Sequence, residues 1–216
     1  MSNTKKAIWE IRTDFSSGGL DIKSMKKSPF SQFEVWMDAT LKSGLAEPNA
    51  FTLATVSKGG QPNARVVLLR DFSPKGFSFF TNYQSAKGRE MAAQKKVCMN
   101  FFWANVHRQI RIHGSIKKMP EKDSIAYFKS RPRESQLGAW ASMQSGMIAD
   151  RKALDLEYEV VKMLYAGKDV PKPPHWGGYL IVPTYFEFWQ GRPDRLHDRI
   201  VFQKKSSGWK ISRLNP

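Results

Sequence analysis

The sequence of 216 residues contains few of the residue types that carry covalent or metal chemistry. Its single cysteine, Cys98, cannot form a disulfide within the chain, and it lies in an apolar strand pattern that predicts a buried packing residue. None of the four histidines has the spacing of a metal-binding pair, so we expect no metal site.

Long apolar runs and the common nucleotide-binding motifs are also absent. No apolar run approaches the roughly 20 residues that a membrane-spanning helix requires, and the first ten residues lack the apolar core of a signal peptide. Together with the single thiol, this predicts a cytoplasmic protein with no membrane partner. The motifs G-x-G-x-x-G, G-x-x-x-x-G-K-[ST] and G-x-S-x-G do not occur. A phosphate-bearing ligand would therefore be held by scattered side chains.

Negative charge is scarce in this chain. Acidic residues number 19 against 35 lysines and arginines, which gives a net charge of +16. Such an excess fits phosphate-bearing partners, including nucleic acid. Many of the lysines, among them Lys5, Lys6, Lys204 and Lys205, lie near the ends of the chain, where we expect them to be solvated.

The order of hydrophobic patterns predicts an α+β fold that is mainly β. Residues 1–30 are polar and rich in serine and lysine, and we expect them to form a flexible N-terminal arm. A helix is predicted from Ser31, which has capping-box spacing to Glu34. From Phe51 onward, short alternating segments separated by turns predict an antiparallel meander with flanking helices. No linker separates two cores, so residues 31–216 are predicted to form a single domain around an antiparallel barrel.

The stretch from Phe186 to Arg199, F-E-F-W-Q-G-R-P-D-R-L-H-D-R, joins a strand pattern to a turn dense in charge. The strand carries Trp189, and the turn that follows contains Arg195 and His197. Arginine offers a bidentate fork for phosphate and tryptophan offers a stacking face, so these residues suit a planar anionic ligand. The same pattern is equally consistent with a solvated basic loop that binds no ligand.

Further cations and hydrogen-bonding residues recur on other predicted elements. The strand pattern R-V-V-L-L-R places Arg65 and Arg70 five residues apart, so we expect them to face opposite sides and to serve different groups. Lys87 falls in the first turn of a predicted helix, where free N–H groups attract phosphate. The remaining candidates are Gln109 and Arg111 in R-Q-I-R-I-H-G, and Tyr127, Arg131 and Ser135 in Y-F-K-S-R-P-R-E-S.

The sequence closely resembles the pyridoxine/pyridoxamine 5′-phosphate oxidase family of flavin enzymes. The stretches that carry the resemblance keep the family's order over residues 45–216: T-L-A-T-V, R-V-V-L-L, F-F-T-N-Y, R-Q-I-R-I, Y-F-K-S-R-P-R-E-S-Q-L-G-A-W-A-S-M-Q-S, P-P-H-W-G-G-Y, E-F-W-Q-G-R-P-D-R-L-H-D-R and W-K-I-S-R-L-N-P. General flavin-binding split barrels lack the S-R-P-R-x-S-Q-x-G-A-W and R-L-H-D-R patterns. The resemblance implies an FMN-binding split β-barrel with flanking helices, whose C-terminal part includes a dimerisation region.

The resemblance also implies a role for each matching residue. Residues that would bind FMN are Arg65, Val66, Val67, Leu68, Leu69, Arg70, Phe80, Thr81, Lys87, Gln109, Gln144, Ser145, Trp189 and Arg199. Residues that would bind the substrate are Arg12, Arg70, Tyr127, Arg131, Ser135, Arg195, Leu196 and His197. Arg195 and His197, which would cover the pyridine ring, are the catalytic candidates.

The implied reaction is the FMN-dependent oxidation of pyridoxine 5′-phosphate or pyridoxamine 5′-phosphate to pyridoxal 5′-phosphate. O₂ would be the acceptor, H₂O₂ a product, and ammonia a second product from the amine. The implied assembly is a homodimer with FMN at the subunit interface and with no nucleic-acid partner. The sequence leaves open a non-catalytic flavin- or pyridoxal-phosphate-binding split-barrel protein. A basic nucleic-acid-binding module is a weaker alternative, because the aromatic residues fall inside strand patterns.

Three positions depart from the family's usual pattern. Arg70 stands where a lysine is usual, so a forked guanidinium replaces a point charge. Ala86 replaces an arginine beside Lys87, which removes one cation near the expected flavin phosphate. In the arm, Arg12 is kept, but Phe15 stands where a tyrosine hydroxyl is usual.

Overall fold

The computed structural model describes residues 2–11, 15 and 18–216, and the elements below lie in that part of the chain. The α-helices are α1 (Asn3–Glu10), α2 (Pro29–Leu41), α3 (Ala86–Ala93), α4 (Glu121–Lys129), α5 (Arg133–Ala141) and α6 (Arg151–Leu164). The β-strands are β1 (Ala50–Val56), β2 (Pro62–Leu68), β3 (Asp71–Ser73), β4 (Gly76–Asn82), β5 (Lys96–Trp103), β6 (Arg108–Lys118), β7 (Trp176–Gln190), β8 (Asp198–Lys205) and β9 (Gly208–Leu214). No helix within the described ranges is long and apolar enough to cross a membrane.

The strands form a nine-stranded sheet, as the alternating segments predict. Its main path has the order β2-β1-β5-β6-β7-β4-β3, and β8 pairs with both β7 and β9. In the antiparallel β1–β2 hairpin, Leu53 lies opposite Arg65. The first part of β7 pairs antiparallel with β4, and its last part pairs antiparallel with β8. This mainly antiparallel sheet with flanking helices agrees with the predicted α+β class.

The chain divides into two compact units. The first unit consists of Met1–Pro48, Phe102–Arg111 and Tyr185–Pro216, and the second of Asn49–Phe101 and Ile112–Thr184. Buried aromatic residues dominate the core of the first unit, including Phe33, Trp36, Phe186, Phe188 and Phe202. The core of the second unit is a mixture of aliphatic and aromatic residues, including Leu53, Phe79, Phe101, Ile112 and Ile181. The sequence predicts an arm of residues 1–30 and a domain of residues 31–216. These boundaries differ from those of the two compact units, and the predicted division stays a prediction.

Helix α2 begins at Pro29 rather than after Ser31. Its N-cap is Ser28, whose side chain accepts the N–H of Phe30 at 3.3 Å. Pro29 occupies the first helical turn, where its fixed φ suits a helix and its missing N–H needs no partner. The predicted capping box at Ser31 is therefore wrong, because the Ser-Pro pair before it supplies the start signal.

Strand β7 runs without interruption for 15 residues, although the sequence pattern predicts separate strands before and after Pro183. The residues of β7 that pair with β4 end at Ile181, and those that pair with β8 begin at Tyr185. Pro183 lies between these two sets, where its missing N–H removes no bond of either ladder.

Asp198 and Arg213 hold the backbone of Leu20, which belongs to the N-terminal 30 residues. The Leu20 N–H donates to Asp198 Oδ2 at 2.9 Å, and Arg213 donates to the Leu20 carbonyl oxygen at 2.6 Å. Burial raises the pKa of Asp198, but the Leu20 N–H and the charge of Arg213 outweigh it and hold the pKa below its ordinary value. Arg12 lies outside the described residues, so its expected contact with substrate stays a prediction.

Candidate active site

A cavity of about 570 Å³ lies in the second unit. The predicted site residues that line it are Arg65, Val66, Val67, Leu68, Arg70, Phe80, Thr81, Lys87, Tyr127, Arg131, Ser135 and Gln144. The lining residues that sequence reasoning missed are Asn82, Gly138, Ala139, Ser142 and Trp176. Among the described residues that line the cavity, four are cations and none is a carboxylate. A concave surface of one charge sign attracts ligands of the opposite sign, so this cavity is suited to anions.

Arg65 and Arg70 both line this cavity, although the strand pattern predicts that they face opposite sides. Strand β2 ends at Leu68, so the alternation of side chains no longer holds at Arg70. The Arg70 N–H donates instead to the carbonyl oxygen of Ser78 at 2.9 Å. The prediction of opposite sides is therefore wrong.

Helix α3 brings Lys87 to the cavity in its first turn. Ser85 caps the helix by accepting the N–H of Gly88 at 3.3 Å. Position 88 requires glycine, because a Cβ there would lie 2.1 Å from a backbone carbonyl oxygen of the preceding turn. The Lys87 ammonium donates to Gln144 Oε1 at 3.1 Å and to Thr81 Oγ1 at 3.2 Å. Three of the predicted FMN-binding residues are therefore in direct contact.

Arg65, on β2, lies close enough to Lys87 to act on its charge and is held by three acceptors. Its Nη1 donates to the Leu53 carbonyl oxygen at 3.2 Å and to the Thr55 hydroxyl, and its Nη2 donates to Glu90 Oε2 at 3.0 Å. A guanidinium has five N–H groups. Within the described part of the chain, three are used in these contacts, and the other two remain for a ligand.

Arg65 and Lys87 repel each other electrostatically. Burial lowers the pKa of Lys87, the charge of Arg65 lowers it further, and Glu90 acts in the opposite direction. An anion that contacts both cations would relieve this repulsion. We call this pair the Arg65–Lys87 subsite.

Arg131 lies in the turn between α4 and α5 and lines the same cavity. Its guanidinium carbon is 4.7 Å from the centre of the Trp176 ring. Its Nη1 is buried and has no hydrogen-bond partner among the described residues. Burial lowers the pKa of Arg131; Tyr127 acts against this shift, and Arg70 adds to it. Because an unpaired buried donor is costly, this geometry suits an anion that accepts from Nη1. We call Arg131 with Arg70, Tyr127 and Ser135 the Arg131 subsite.

Stacked aromatic rings support the Arg131 subsite. The rings of Phe80 and Tyr127 are 3.9 Å apart between centroids and 18° from parallel. Trp176 stacks on the same phenylalanine at 5.5 Å and 13°. Such stacking limits the rotation of Tyr127 and gives Arg131 a fixed surface to lie on. The only signal for Trp176 in the sequence is its place in the motif P-P-H-W-G-G-Y.

The remaining predicted site residues do not line this cavity. Leu69 is buried, and Ser145 is exposed with a left-handed φ of 69°. Six others belong to the first unit, namely Gln109, Trp189, Arg195, Leu196, His197 and Arg199. Their roles stay predictions. Within the described ranges, no group of three or more His, Cys, Asp or Glu side chains could hold a metal ion.

In the first unit, the turn after β7 gathers several rings. Trp189 and His197 lie 4.7 Å apart between centroids, and Phe15 lies edge-on to both at 5.8 and 5.7 Å. His197 Nδ1 accepts the backbone N–H of Arg192 at 3.1 Å, so a neutral imidazole carries its proton on Nε2. Arg195 has a φ of 61°, a costly backbone conformation for a residue with a Cβ, and such strain often marks functional sites.

Arg199 is paired with a buried carboxylate rather than freely solvated. Its Nε donates to Glu187 Oε1 at 2.9 Å, while Glu187 Oε2 accepts from Arg111 and from the Tyr185 hydroxyl. The Glu187 side chain is 3% exposed. Burial raises the pKa of Glu187, but the two arginines and the tyrosine outweigh it and hold the pKa below its ordinary value. At Arg199, the interpretation as a solvated basic loop is therefore wrong.

Two family models together match most of the chain. Residues 37–165 match the model described as pyridoxamine 5′-phosphate oxidase, and residues 176–216 match the pyridoxine 5′-phosphate oxidase C-terminal dimerisation region. A pyridoxine/pyridoxamine 5′-phosphate oxidase of Microcystis aeruginosa is 47% identical over 211 residues, which cover 97% of this chain and 99% of that protein. A protein of the same name from Nostoc punctiforme is 46% identical over 212 residues, which cover 98% of this chain and 99% of that protein.

Solved structures share the fold. PhzG from Burkholderia lata 383, crystallised with tetrahydrophenazine-1-carboxylic acid, has a TM-score of 0.87 at 28% identity, covering 93% of this chain and 100% of that chain. A pyridoxamine 5′-phosphate oxidase-related, FMN-binding protein from Nostoc punctiforme PCC 73102 has a TM-score of 0.70 at 18% identity, covering 89% and 100%. These likenesses confirm the predicted fold class. The identity over nearly the full length and the family match show that this chain belongs to the pyridoxamine 5′-phosphate oxidase family.

Proposed function

We propose that this chain catalyses the FMN-dependent oxidation of pyridoxine 5′-phosphate and pyridoxamine 5′-phosphate to pyridoxal 5′-phosphate, with O₂ as acceptor. The observation that carries the proposal is the presence of two anion subsites in one cavity, the Arg65–Lys87 subsite and the Arg131 subsite. A reaction between two phosphate-bearing molecules needs such a pair, because each phosphate fixes the position of one reactant. Relatives at 46–47% identity carry the name of this activity.

The Arg65–Lys87 subsite fits the phosphate of FMN. The two remaining N–H groups of Arg65 and the Lys87 ammonium would donate to phosphate oxygens, and the phosphate charge would offset the repulsion between these cations. Val66, Val67 and Leu68 would present the apolar part of the lining to the flavin ring. When bound, FMN supplies the hydride acceptor, and its reoxidation by O₂ gives H₂O₂.

The Arg131 subsite would bind the phosphate of the substrate. Arg131 Nη1 would gain the acceptor that it lacks, and Arg70, Tyr127 and Ser135 would complete the set of phosphate contacts. Trp176 holds the Arg131 guanidinium in place, so the bound phosphate would in turn fix the position of the pyridine ring. Positioning is the main contribution of these residues, because transfer requires the reacting atoms to be close and aligned.

Two further sets of side chains would contact the rings of the substrate and of the cofactor. Arg195 and His197 would cover the pyridine ring and its polar substituents, whereas Gln109, Trp189 and Arg199 would contact the flavin. With its proton on Nε2, His197 would act as a hydrogen-bond donor toward the substrate.

The match of residues 176–216 to a C-terminal dimerisation region indicates that the chain forms a dimer. We propose a homodimer that binds FMN at the interface between its subunits. A closed dimer of this kind uses the same surface on both chains, so each dimer would contain two equivalent sites.

The experiment that tests the proposed function is an anaerobic titration of the purified protein. We expect the absorbance spectrum of oxidised FMN, its bleaching on addition of pyridoxamine 5′-phosphate, and one pyridoxal 5′-phosphate formed per flavin. Admission of O₂ should restore the spectrum and release H₂O₂. A yellow protein that is not bleached would instead identify a non-catalytic flavin-binding protein, and a protein unable to take up FMN would contradict the whole proposal.

Arg195→Ala should separate substrate contacts from cofactor contacts. We expect the FMN content to stay near that of the wild type, while kcat/KM for pyridoxine 5′-phosphate falls by more than about tenfold, or 1.4 kcal/mol, since the ring is no longer held in line. Arg199→Ala should show the reverse order, with flavin lost first. Flavin stoichiometry and steady-state kinetics of the two variants measure both effects. A colourless Arg195→Ala protein, or one with wild-type turnover, would show that Arg195 is not a substrate residue.

A further inference from the structure

Glu90 does not line the cavity, yet the side chains that support the Arg65–Lys87 subsite converge on it. Its Oε2 accepts from Arg65 Nη2 at 3.0 Å and from the Thr55 hydroxyl, and its Oε1 accepts from Asn63 Nδ2 at 2.9 Å. The Glu90 side chain is 12% exposed. Side chains from β1, β2 and α3 therefore meet at one carboxylate that the proposed reaction does not use.

The contacts of Arg65, Thr55 and Glu90 form a closed ring of hydrogen bonds. The Thr55 hydroxyl accepts from Arg65 Nη1 and donates its own proton to Glu90, while Arg65 Nη2 donates to Glu90 directly. Both terminal nitrogens of the guanidinium are thereby fixed. Because the ring ties Arg65 to a second strand and a helix, the guanidinium should lose little rotational freedom when an anion binds.

We propose that Glu90 is a positioning residue for the phosphate of FMN and acts on it through Arg65 and Lys87. This proposal rests on the proposed function, in which the Arg65–Lys87 subsite binds that phosphate. Glu90 orients the guanidinium of Arg65 and leaves two of its N–H groups for phosphate oxygens. A bidentate contact depends on the orientation of the guanidinium plane, so the loss of Glu90 weakens FMN binding even though both cations remain.

Glu90 also acts on Lys87, which lies one turn earlier on α3. Burial and the charge of Arg65, on β2, lower the pKa of Lys87, whereas Glu90 raises it. FMN binds better to the protonated lysine, so its affinity falls as the pH rises above the pKa of Lys87 in the free protein. Removing the Glu90 charge lowers that pKa, and the fall in affinity then begins at a lower pH.

The test uses Glu90→Gln, which keeps the side-chain size and removes the charge. FMN and riboflavin are titrated into flavin-free protein across the alkaline pH range, with flavin fluorescence as the readout. We expect FMN affinity to weaken about three- to tenfold at neutral pH, with riboflavin affinity nearly unchanged. The alkaline fall in FMN affinity should also move to lower pH. Glu159→Gln removes an exposed carboxylate on α6 that pairs with Lys162, and it should behave like the wild type.

A second variant separates orientation from charge and carries the test if Glu90→Gln does not fold. Glu90→Asp keeps the charge but moves the carboxylate away from Arg65. FMN affinity should therefore fall, while the pH at which it begins to fall in the alkaline range should stay as in the wild type. Equal weakening of FMN and riboflavin binding would show that Glu90 only supports the fold. Unchanged FMN binding would show that Glu90 does not act on the phosphate, and tighter binding would show that its carboxylate repels the phosphate. Any of these results overturns the proposal. If the wild type does not prefer FMN to riboflavin, the assignment of the subsite fails before any variant is compared.

Discussion

Arg131→Ala should lower kcat/KM for pyridoxamine 5′-phosphate by about a hundredfold, because charge-assisted hydrogen bonds are worth about 1.5–3 kcal/mol each. The buried Nη1 of Arg131 has no partner in the described part of the chain, so its hydrogen-bonding capacity is available to the substrate phosphate. Oxidation of pyridoxamine, which lacks the phosphate, should be slow in the wild type and change little in the variant. Steady-state kinetics with the two substrates give the ratio that isolates the phosphate contact.

Arg133→Ala is the matched control for this prediction. Arg133 lies two positions further along the same motif, is exposed, and donates to the carbonyl oxygens of Tyr165 and Lys168 at 2.6 and 3.0 Å. Arg133 does not line the cavity, so its removal should leave kcat/KM for each of the two substrates within about twofold of the wild-type value. If Arg131→Ala lowered activity on both substrates equally, Arg131 would support the catalytic geometry in general and not the phosphate.

Arg65→Ala should weaken FMN binding by about one to two decades, since it removes a charge-assisted donor from the phosphate and opens the hydrogen-bonded ring around Glu90. Riboflavin, which lacks the phosphate, should be much less affected. Equilibrium titration of both flavins measures the difference directly. The loss should also appear as a reduced flavin content in the purified variant.

Arg89→Ala controls for the loss of one positive charge near α3. Arg89 is exposed, does not line the cavity, and donates to the backbone carbonyl oxygen of Gln84. FMN affinity should therefore remain near that of the wild type. Should FMN and riboflavin lose affinity in parallel in Arg65→Ala, the phosphate role of Arg65 would be wrong.

Local sequence patterns single out the cations of the cavity, whereas the family resemblance implies its other predicted residues, among them Phe80, Thr81 and Gln144. Lys87 follows from the helix-start pattern around Ser85, and Arg65 follows from its place at one end of the apolar strand pattern R-V-V-L-L-R. The family and the fold class, both expected from the motifs, are confirmed by the comparisons. Local periodicity therefore identifies the strands and helices that carry the cations. It does not determine the direction of every side chain, as Arg70 shows.

The failures of sequence reasoning have both local and tertiary causes. No breaker residue marks the end of β2 at Leu68, so Arg70 is wrongly assigned to the opposite side of that strand. Helix α5 is absent from the predicted elements; Gly138 lies inside it, and an internal glycine weakens a helical pattern. Glu90 carries no motif, and its importance follows only from its contacts with the side chains of β1 and β2.

The interleaving of the two compact units has a consequence for synthesis on the ribosome. When translation has passed Thr184, every segment of the second unit has been made, but the first unit still lacks Tyr185–Pro216. Until those residues emerge, Trp36 of the nascent chain has no Phe188 ring, which lies 5.1 Å away in the folded protein. The first unit can therefore complete its core only after Tyr185–Pro216 has emerged, and its aromatic surface is exposed to chaperones and to aggregation before then.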